Sequence, residues 1–221
     1  MKQIYLVRHG QSESNAGGAA KPNAIIPLTA LGQTQAEEVA DWLITRLGNN
    51  IASIGVSEYQ RTHETAQPFA VRTGLTPRII SNLHEFNYLS FPLIDGLPFH
   101  ERVQRAKDFW QNADTTTLDG DDSECFRHFV ARVADVRQQF AALPDGNHVF
   151  FTHGLWLSML IWQLLSLPTN DASTMLQFRF FAKAIHIRNC EVFLLTLSQH
   201  APPSISKVYT QQATNLIIGG D

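Results

Sequence analysis

Ile4-Tyr5-Leu6-Val7-Arg8-His9-Gly10-Gln11-Ser12-Glu13-Ser14-Asn15 is the stretch whose reading decides the fold. Its four apolar residues, Ile4 to Val7, run without a polar break, as a strand buried on both faces does, and then stop at an arginine, a histidine and a glycine. Strands of that kind belong to parallel sheets covered by helices, and ligands bind at their carboxyl ends. A neutral imidazole is nucleophilic near pH 7, so His9 is suited to attack phosphorus and carry a phosphoryl group as a phosphoramidate. Arg8 offers a planar, permanently charged fork to the non-bridging oxygens. Gly10 lets the backbone turn where an anion has to come close. An Arg-His pair at a strand end is common on its own, so the remaining chain has to decide.

The design recurs at His148-Val149-Phe150-Phe151-Thr152-His153-Gly154, a second buried strand ending in histidine and glycine before the apolar helix Leu155 to Leu165. His153 and Gly154 there would set an imidazolium and free backbone N–H groups around an anion. His148 and His153 are an odd number apart on a strand, face opposite ways and make poor partners for one metal ion.

Between these strands the pattern alternates. Ala16 to Ile26 carries Gly17, Gly18, Lys21, Pro22 and Asn23 and reads as an irregular flap whose Lys21 is a solvated loop residue. Thr29 is an N-cap for a helix with Leu31, Val39, Trp42, Leu43 and Leu47 on its apolar face, closed by Gly48. A strand from Ile51 to Val56 runs into Ser57 and a helix that sets Arg61 near its N-terminus, where the dipole favours an anion. Pro68 should kink or restart that helix before Gly74 ends it. Arg78 to Ile80 reads as a strand leading to Glu85, a carboxyl beside Phe86 suited to hold a proton for a departing alkoxide. Residues 89–120 read as an insertion or cap, with a helix at about His100 to Asn112 whose inner face is Val103, Ala106, Phe109 and Trp110. A helix from about Ser123 follows, with Phe126, Phe129, Val133, Val136 and Phe140 inward. Two last strands, Ala184 to Arg188 and Val192 to Leu197, would be joined by a turn at Asn189-Cys190. An edge strand at Lys207 to Tyr209 and a partly ordered tail from Gln211 complete the reading.

Arg8-His9-Gly10-Gln11-Ser12 followed by Asn15 resembles the R-H-G-[EQ]-[ST]-x-x-N signature of the histidine phosphatase superfamily, the phosphoglycerate mutase-like fold. Pro27 to Ala36 is similar to that family's P-L-T-x-x-G-x-x-Q-A run, although Ile25 stands where an acidic residue is common. Ser57 to Ala66 is similar to S-x-x-x-R-[AT]-x-x-T-A, and Leu83-His84-Glu85 to L-x-E. The resemblance implies an α/β fold, a three-layer αβα sandwich with a mostly parallel central sheet, formed by residues 1–221 as one domain. It implies His9 as nucleophile, Glu85 as general acid and His153 as second essential histidine, with Arg8, Asn15, Arg61, His153 and Gly154 holding the phosphoryl group. Fixed cations would stand in for a metal, so no metal or other cofactor is expected.

The mutases of the family commonly carry E-R-H-Y-G around the acid, where this chain has Glu85-Phe86-Asn87-Tyr88-Leu89, and Phe86 cannot hold a substrate carboxylate. The basic, proline-rich mutase insertion and a second basic cluster are also missing from the sequence. A phosphomonoesterase acting through phosphohistidine on a small phosphorylated metabolite is therefore expected, ahead of a cofactor-dependent phosphoglycerate mutase and of a catalytically silent phospho-ligand-binding protein.

Composition bounds the rest. With 221 residues, 44% hydrophobic and 17% charged, the chain can bury a sizeable core. A net charge of −3 and a pI near 6.3 provide no footprint for nucleic acid or an anionic membrane. A strand at the N-terminus in place of a signal peptide, and apolar runs too short to span a bilayer, give the expectation of a soluble cytoplasmic protein. Cys125 and Cys190 suggest reduced thiols. The small-molecule phosphomonoester is the expected partner, and a homodimer is compatible with the chain.

Overall fold

The computed structural model describes residues 1–211. Among them the order is β1 (Lys2–Arg8), α1 (Ala30–Leu47), β2 (Ser53–Val56), α2 (Gln60–Thr73), β3 (Arg78–Ile79), α3 (Phe91–Ile94), α4 (Phe99–Asn112), α5 (Phe126–Ala142), β4 (Gly146–Thr152), α6 (Gly154–Leu164), α7 (Ala172–Ile185), β5 (Val192–Leu197) and β6 (Ser204–Tyr209). The strands form one sheet in the order β3-β2-β4-β1-β5-β6. The first four are mutually parallel, while β5 and β6 join antiparallel. The expected mostly parallel sheet of an αβα sandwich is present.

The unbroken apolar run of β1 has a direct structural meaning. Successive side chains on a strand face opposite ways. Tyr5 and Val7 pack with Val39, Leu43 and Phe69 of α1 and α2, while Ile4 and Leu6 enter the larger cluster formed with α5, α6 and α7. In β4, Val149 and Phe151 serve the first layer and Phe150 the second. Both strands are thus central, and their carboxyl ends meet in one crevice.

Several local expectations need correction. Leu31 is 52% exposed, and the buried stripe of α1 is Gly32, Ala36, Val39, Ala40, Leu43 and Leu47. Pro68 does not restart α2: the helix runs through it, losing one backbone donor while Thr65, Ala66 and Phe69 hold its buried face. Ala184 to Arg188 is not a strand. Asp171 caps α7 by accepting from Thr174 N, and Met175 and Phe178 bury that helix against α6. Its end is set by His186 in the left-handed region, and Asn189-Cys190 turns the chain into β5. The expected tail lies, beyond Gln211, outside the described residues. Thr29 does cap α1, accepting from Gly32 N at 3.1 Å. No helix among the described residues is long and apolar enough to cross a membrane.

Gly10, read in the sequence as a turn that lets an anion approach, shares a packing purpose with Gly32. A Cβ on Gly10 would lie 2.5 Å from the Gly32 carbonyl oxygen, and one on Gly32 would lie 2.1 Å from that of Gln11. The loop after β1 is therefore laid directly on the first turn of α1. Thr29 N also donates to Gln11 O at 2.9 Å. Alanine ordinarily stabilises a helix over glycine by about 1 kcal/mol. Gly32→Ala should instead destabilise the protein by about 1–3 kcal/mol through overpacking, as measured by urea unfolding. A stabilised variant would sink the packing explanation.

Candidate active site

Arg8 pairs with Thr152 across the parallel β1–β4 ladder, and His9 N donates to the Thr152 carbonyl at 2.9 Å. His9 and His153 therefore leave the sheet side by side, with ring centroids 5.1 Å apart. His9 Nδ1 lies 2.7 Å from the Gly10 carbonyl, which can only accept, so Nδ1 carries the hydrogen. Nε2 lies 3.2 Å from Arg61 Nε, an obligate donor, so Nε2 presents its lone pair. Burial, then the charges of Arg61 and Arg8, hold His9 well below the ordinary imidazole range. It is a neutral imidazole in a defined tautomer.

His153 is neutral too, for the same leading reason: burial, with Arg61 next, holds it far below 6.5. Its Nε2 is bonded to Ser57 Oγ at 2.8 Å, and Nδ1 is buried without a partner.

Arg61 stands on the second residue of α2, as its sequence context implied. Besides His9 it donates from Nη1 to the Asn23 carbonyl at 2.7 Å and lies over the Tyr59 ring at 4.8 Å. Burial lowers it to about 10, which leaves it charged at neutral pH. Arg8 donates from Nη1 to the Ile187 carbonyl, and its Nε is buried and unpartnered. It passes close to the start of α6, and a Cβ on Gly154 would lie 3.3 Å from that Nε, a tight contact. Among the described residues neither guanidinium forms a salt bridge. Glu58 and Glu64, the carboxylates nearest Arg61 in sequence, are engaged by His84 and by Leu28 N and Gln60.

Glu85 sits differently from the apolar surroundings its neighbours suggested. Its carboxylate receives Leu155 N at 3.1 Å and Trp156 N at 3.0 Å, at the N-terminus of α6, and also Phe86 N at 3.0 Å. Phe86 turns away into the core, stacked on Phe129 at 4.5 Å. His84 stays outside the pocket lining.

Arg8, His9, Asn15, Arg61 and Glu85 line one cavity of about 550 Å³; His153 and Gly154 are not among its lining residues, and His153 is buried edge-on to His9. The flap at 16–26 forms one wall. Lys21 is paired with Glu13, and Asn23 is bonded to Asn87. The opposite wall comes from residues 89–106, and it includes a cation, Arg102, in a segment that reads as apolar in the sequence.

Sequence reasoning missed several supports. Asn189 Nδ2 donates to the His9 carbonyl at 2.9 Å and to Asn15 Oδ1 at 3.0 Å, tying two expected site residues together. Arg132, buried on α5, donates to the carbonyls of Asn82, His84 and Glu85 and is paired with Glu124. The available signal was an arginine inside the apolar stripe of Phe129, Val133 and Val136. Ser57, the partner of His153, was quoted only as part of a motif.

The family model "Histidine phosphatase superfamily (branch 1)" matches residues 4–202. A protein of Serratia proteamaculans named "Probable phosphoglycerate mutase GpmB" is 30% identical over 197 residues, covering 87% of this chain and 83% of its own. The alpha-ribazole phosphatase of Shigella flexneri superposes with a TM-score of 0.71 at 22% identity, covering 94% of this chain and 96% of its own. The phosphoserine phosphatase of Entamoeba histolytica, solved with 3-phosphoglyceric acid, has a TM-score of 0.70 at 24% identity, covering 96% and 98%. Fold, motif order and family match agree, and the chain belongs to the histidine phosphatase superfamily.

Proposed function

We propose that this protein is a phosphomonoesterase that works through a phosphohistidine on His9. The observation that carries this reading is a neutral imidazole, lone pair toward Arg61, beside two guanidinium groups that form no salt bridge among the described residues. Such a site presents fixed positive charge together with a nucleophile. His9 Nε2 attacks phosphorus in line and the P–O ester bond breaks. Arg8 and Arg61 take the equatorial oxygens, with hydrogen bonds from Asn15 and His153, and Glu85 passes a proton to the departing oxygen. Water then attacks the phosphohistidine and returns its proton to Glu85, releasing inorganic phosphate and restoring His9.

Phosphate monoester hydrolases stand among the structural relatives by name, which supports hydrolysis. The names of the curated relatives favour a second reading, a phosphoglycerate mutase. Against it, Phe86 occupies the place of the mutase arginine and is buried in an aromatic cluster. Phosphate release from 3-phosphoglycerate, set against its conversion to the 2-isomer, separates the two. Interconversion without release would replace the phosphomonoesterase reading.

The parent enzyme should hydrolyse 4-nitrophenyl phosphate in EDTA, and His9→Ala should abolish this, whereas Arg61→Ala should lower kcat/KM by about 10²–10³-fold. Activity surviving in His9→Ala would remove the phosphohistidine. Glu85→Gln should spare aryl phosphates, whose leaving groups need little protonation, far more than alkyl phosphates. Equal losses on both would deny Glu85 the acid role.

The two buried imidazoles also set a pH dependence. Their folded-state values lie well below 6.5, so as the pH falls through about 6.5 the unfolded chain binds protons that the folded chain refuses. The stability is fully present above that pH and declines below it. Thermal unfolding between about pH 7.5 and 5.5 should show a falling Tm, with a shallower slope in the double variant His9→Gln, His153→Gln. An unchanged slope would place the titration elsewhere.

A further inference from the structure

The part of the cavity lined by residues 89–106 has a chemistry that the phosphoryl machinery does not use. Leu89, Phe91, Ile94, Val103 and Ala106 give it an apolar wall, and Arg102 reaches into it from α4. Arg102 and Arg105 lie on the same helix, yet they differ. Arg105 is matched by Asp119 at 2.7 Å, whereas Arg102 forms no salt bridge among the described residues. Of its guanidinium nitrogens only Nη2 has a partner there, the Gly18 carbonyl at 2.7 Å, and Nε is buried without one. The other charged groups at this end are engaged: Lys21 pairs with Glu13, and Asp122 Oδ2 accepts from Phe91 N at 3.0 Å.

We propose that this end of the pocket selects phosphomonoesters whose departing group is an apolar ring or chain ending in a carboxylate, with Arg102 receiving that carboxylate. The proposal rests on the phosphomonoesterase reading and names its substrate class. The apolar wall favours a body larger than a glycerate or a serine, because those would leave it exposed to water. A guanidinium fork presented beside such a wall recognises a carboxylate with paired donors and rejects a neutral end, which leaves the charge unanswered. Arg102 is thus a specificity residue at the end of the substrate away from His9.

The test is binding of two stable phosphonates, benzylphosphonate and its 4-carboxy derivative, followed by calorimetry in the parent and in Arg102→Gln. Glutamine keeps a donor for Gly18 while removing the charge. The parent should bind the carboxylated ligand about tenfold more tightly, and Arg102→Gln should lose that preference while holding benzylphosphonate as before. No preference in the parent, or a preference that persists in the variant, would overturn the proposal. Equal weakening of both ligands would also overturn it, by making Arg102 only a tether for the flap. Hydrolysis of the corresponding 4-carboxybenzyl phosphate is read separately, so a parent that binds with this preference but releases no phosphate would count against the phosphomonoesterase and not against Arg102.

Discussion

Positive charge held out of water with no carboxylate bridged to it is the constraint on which the rest of this site depends. Arg61 is buried, and Arg8 hides its Nε beneath α6, while both spend their hydrogen bonds on neutral acceptors. Unpaired ions of this kind are costly, and a fold keeps them only where its other contacts over-determine their position. Their influence extends outward. Both help keep His9 neutral, Arg61 does the same for His153, and a Cβ on Gly154 would press to 3.3 Å from Arg8 Nε. Glu85 contributes attraction at longer range, held not by the arginines but by the amides that begin α6.

The support of that carboxylate comes from an unexpected direction. Arg132 collects three carbonyls from the turn containing Asn82, His84 and Glu85, and balances its charge with Glu124. The Phe86 ring, one residue on, stacks on Phe129 of the same helix. A five-residue turn is thus anchored to α5 by both a polar and an aromatic grip, and a chain that would otherwise be loop acquires the rigidity of the core. The aromatic residues of 89–120 extend this grip, since Phe109 and Trp110 pack against Phe86. One wall of the cavity is therefore fixed by the protein interior, and the other is a flap held by Asn87 and Arg102.

The central strands, and the meeting of His9 and His153 at their carboxyl ends, were legible because the pattern is local: an apolar run followed by Arg8-His9-Gly10, and another followed by His153-Gly154. The helix Ala172–Ile185 was missed altogether and its end read as a strand, because Ile185 and Ile187 alternate as a strand would, while the packing of Met175 and Phe178 against α6 is a long-range fact. Leu31 was placed inward by its position after an N-cap, yet the need to seat Gly32 on Gln11 rotates that face of the helix outward. Asn189, Arg132 and Arg102 were invisible for a common reason. Each acts on a partner tens of residues away, and nothing in a single sequence records which carbonyl a distant side chain will meet. The environment of Glu85 was misjudged likewise, since its donors lie at 155 and 156.

The hydrogen bond from Arg61 Nε to His9 Nε2 has one further consequence. The guanidinium N–H covers the electron pair of the imidazole. In the reaction proposed above, an incoming phosphoryl oxygen would be a far stronger acceptor for that N–H than an aromatic nitrogen. By drawing the N–H to itself it would uncover the pair on His9 as phosphorus comes within reach, so that the hydrogen atom guarding the nucleophile would also release it.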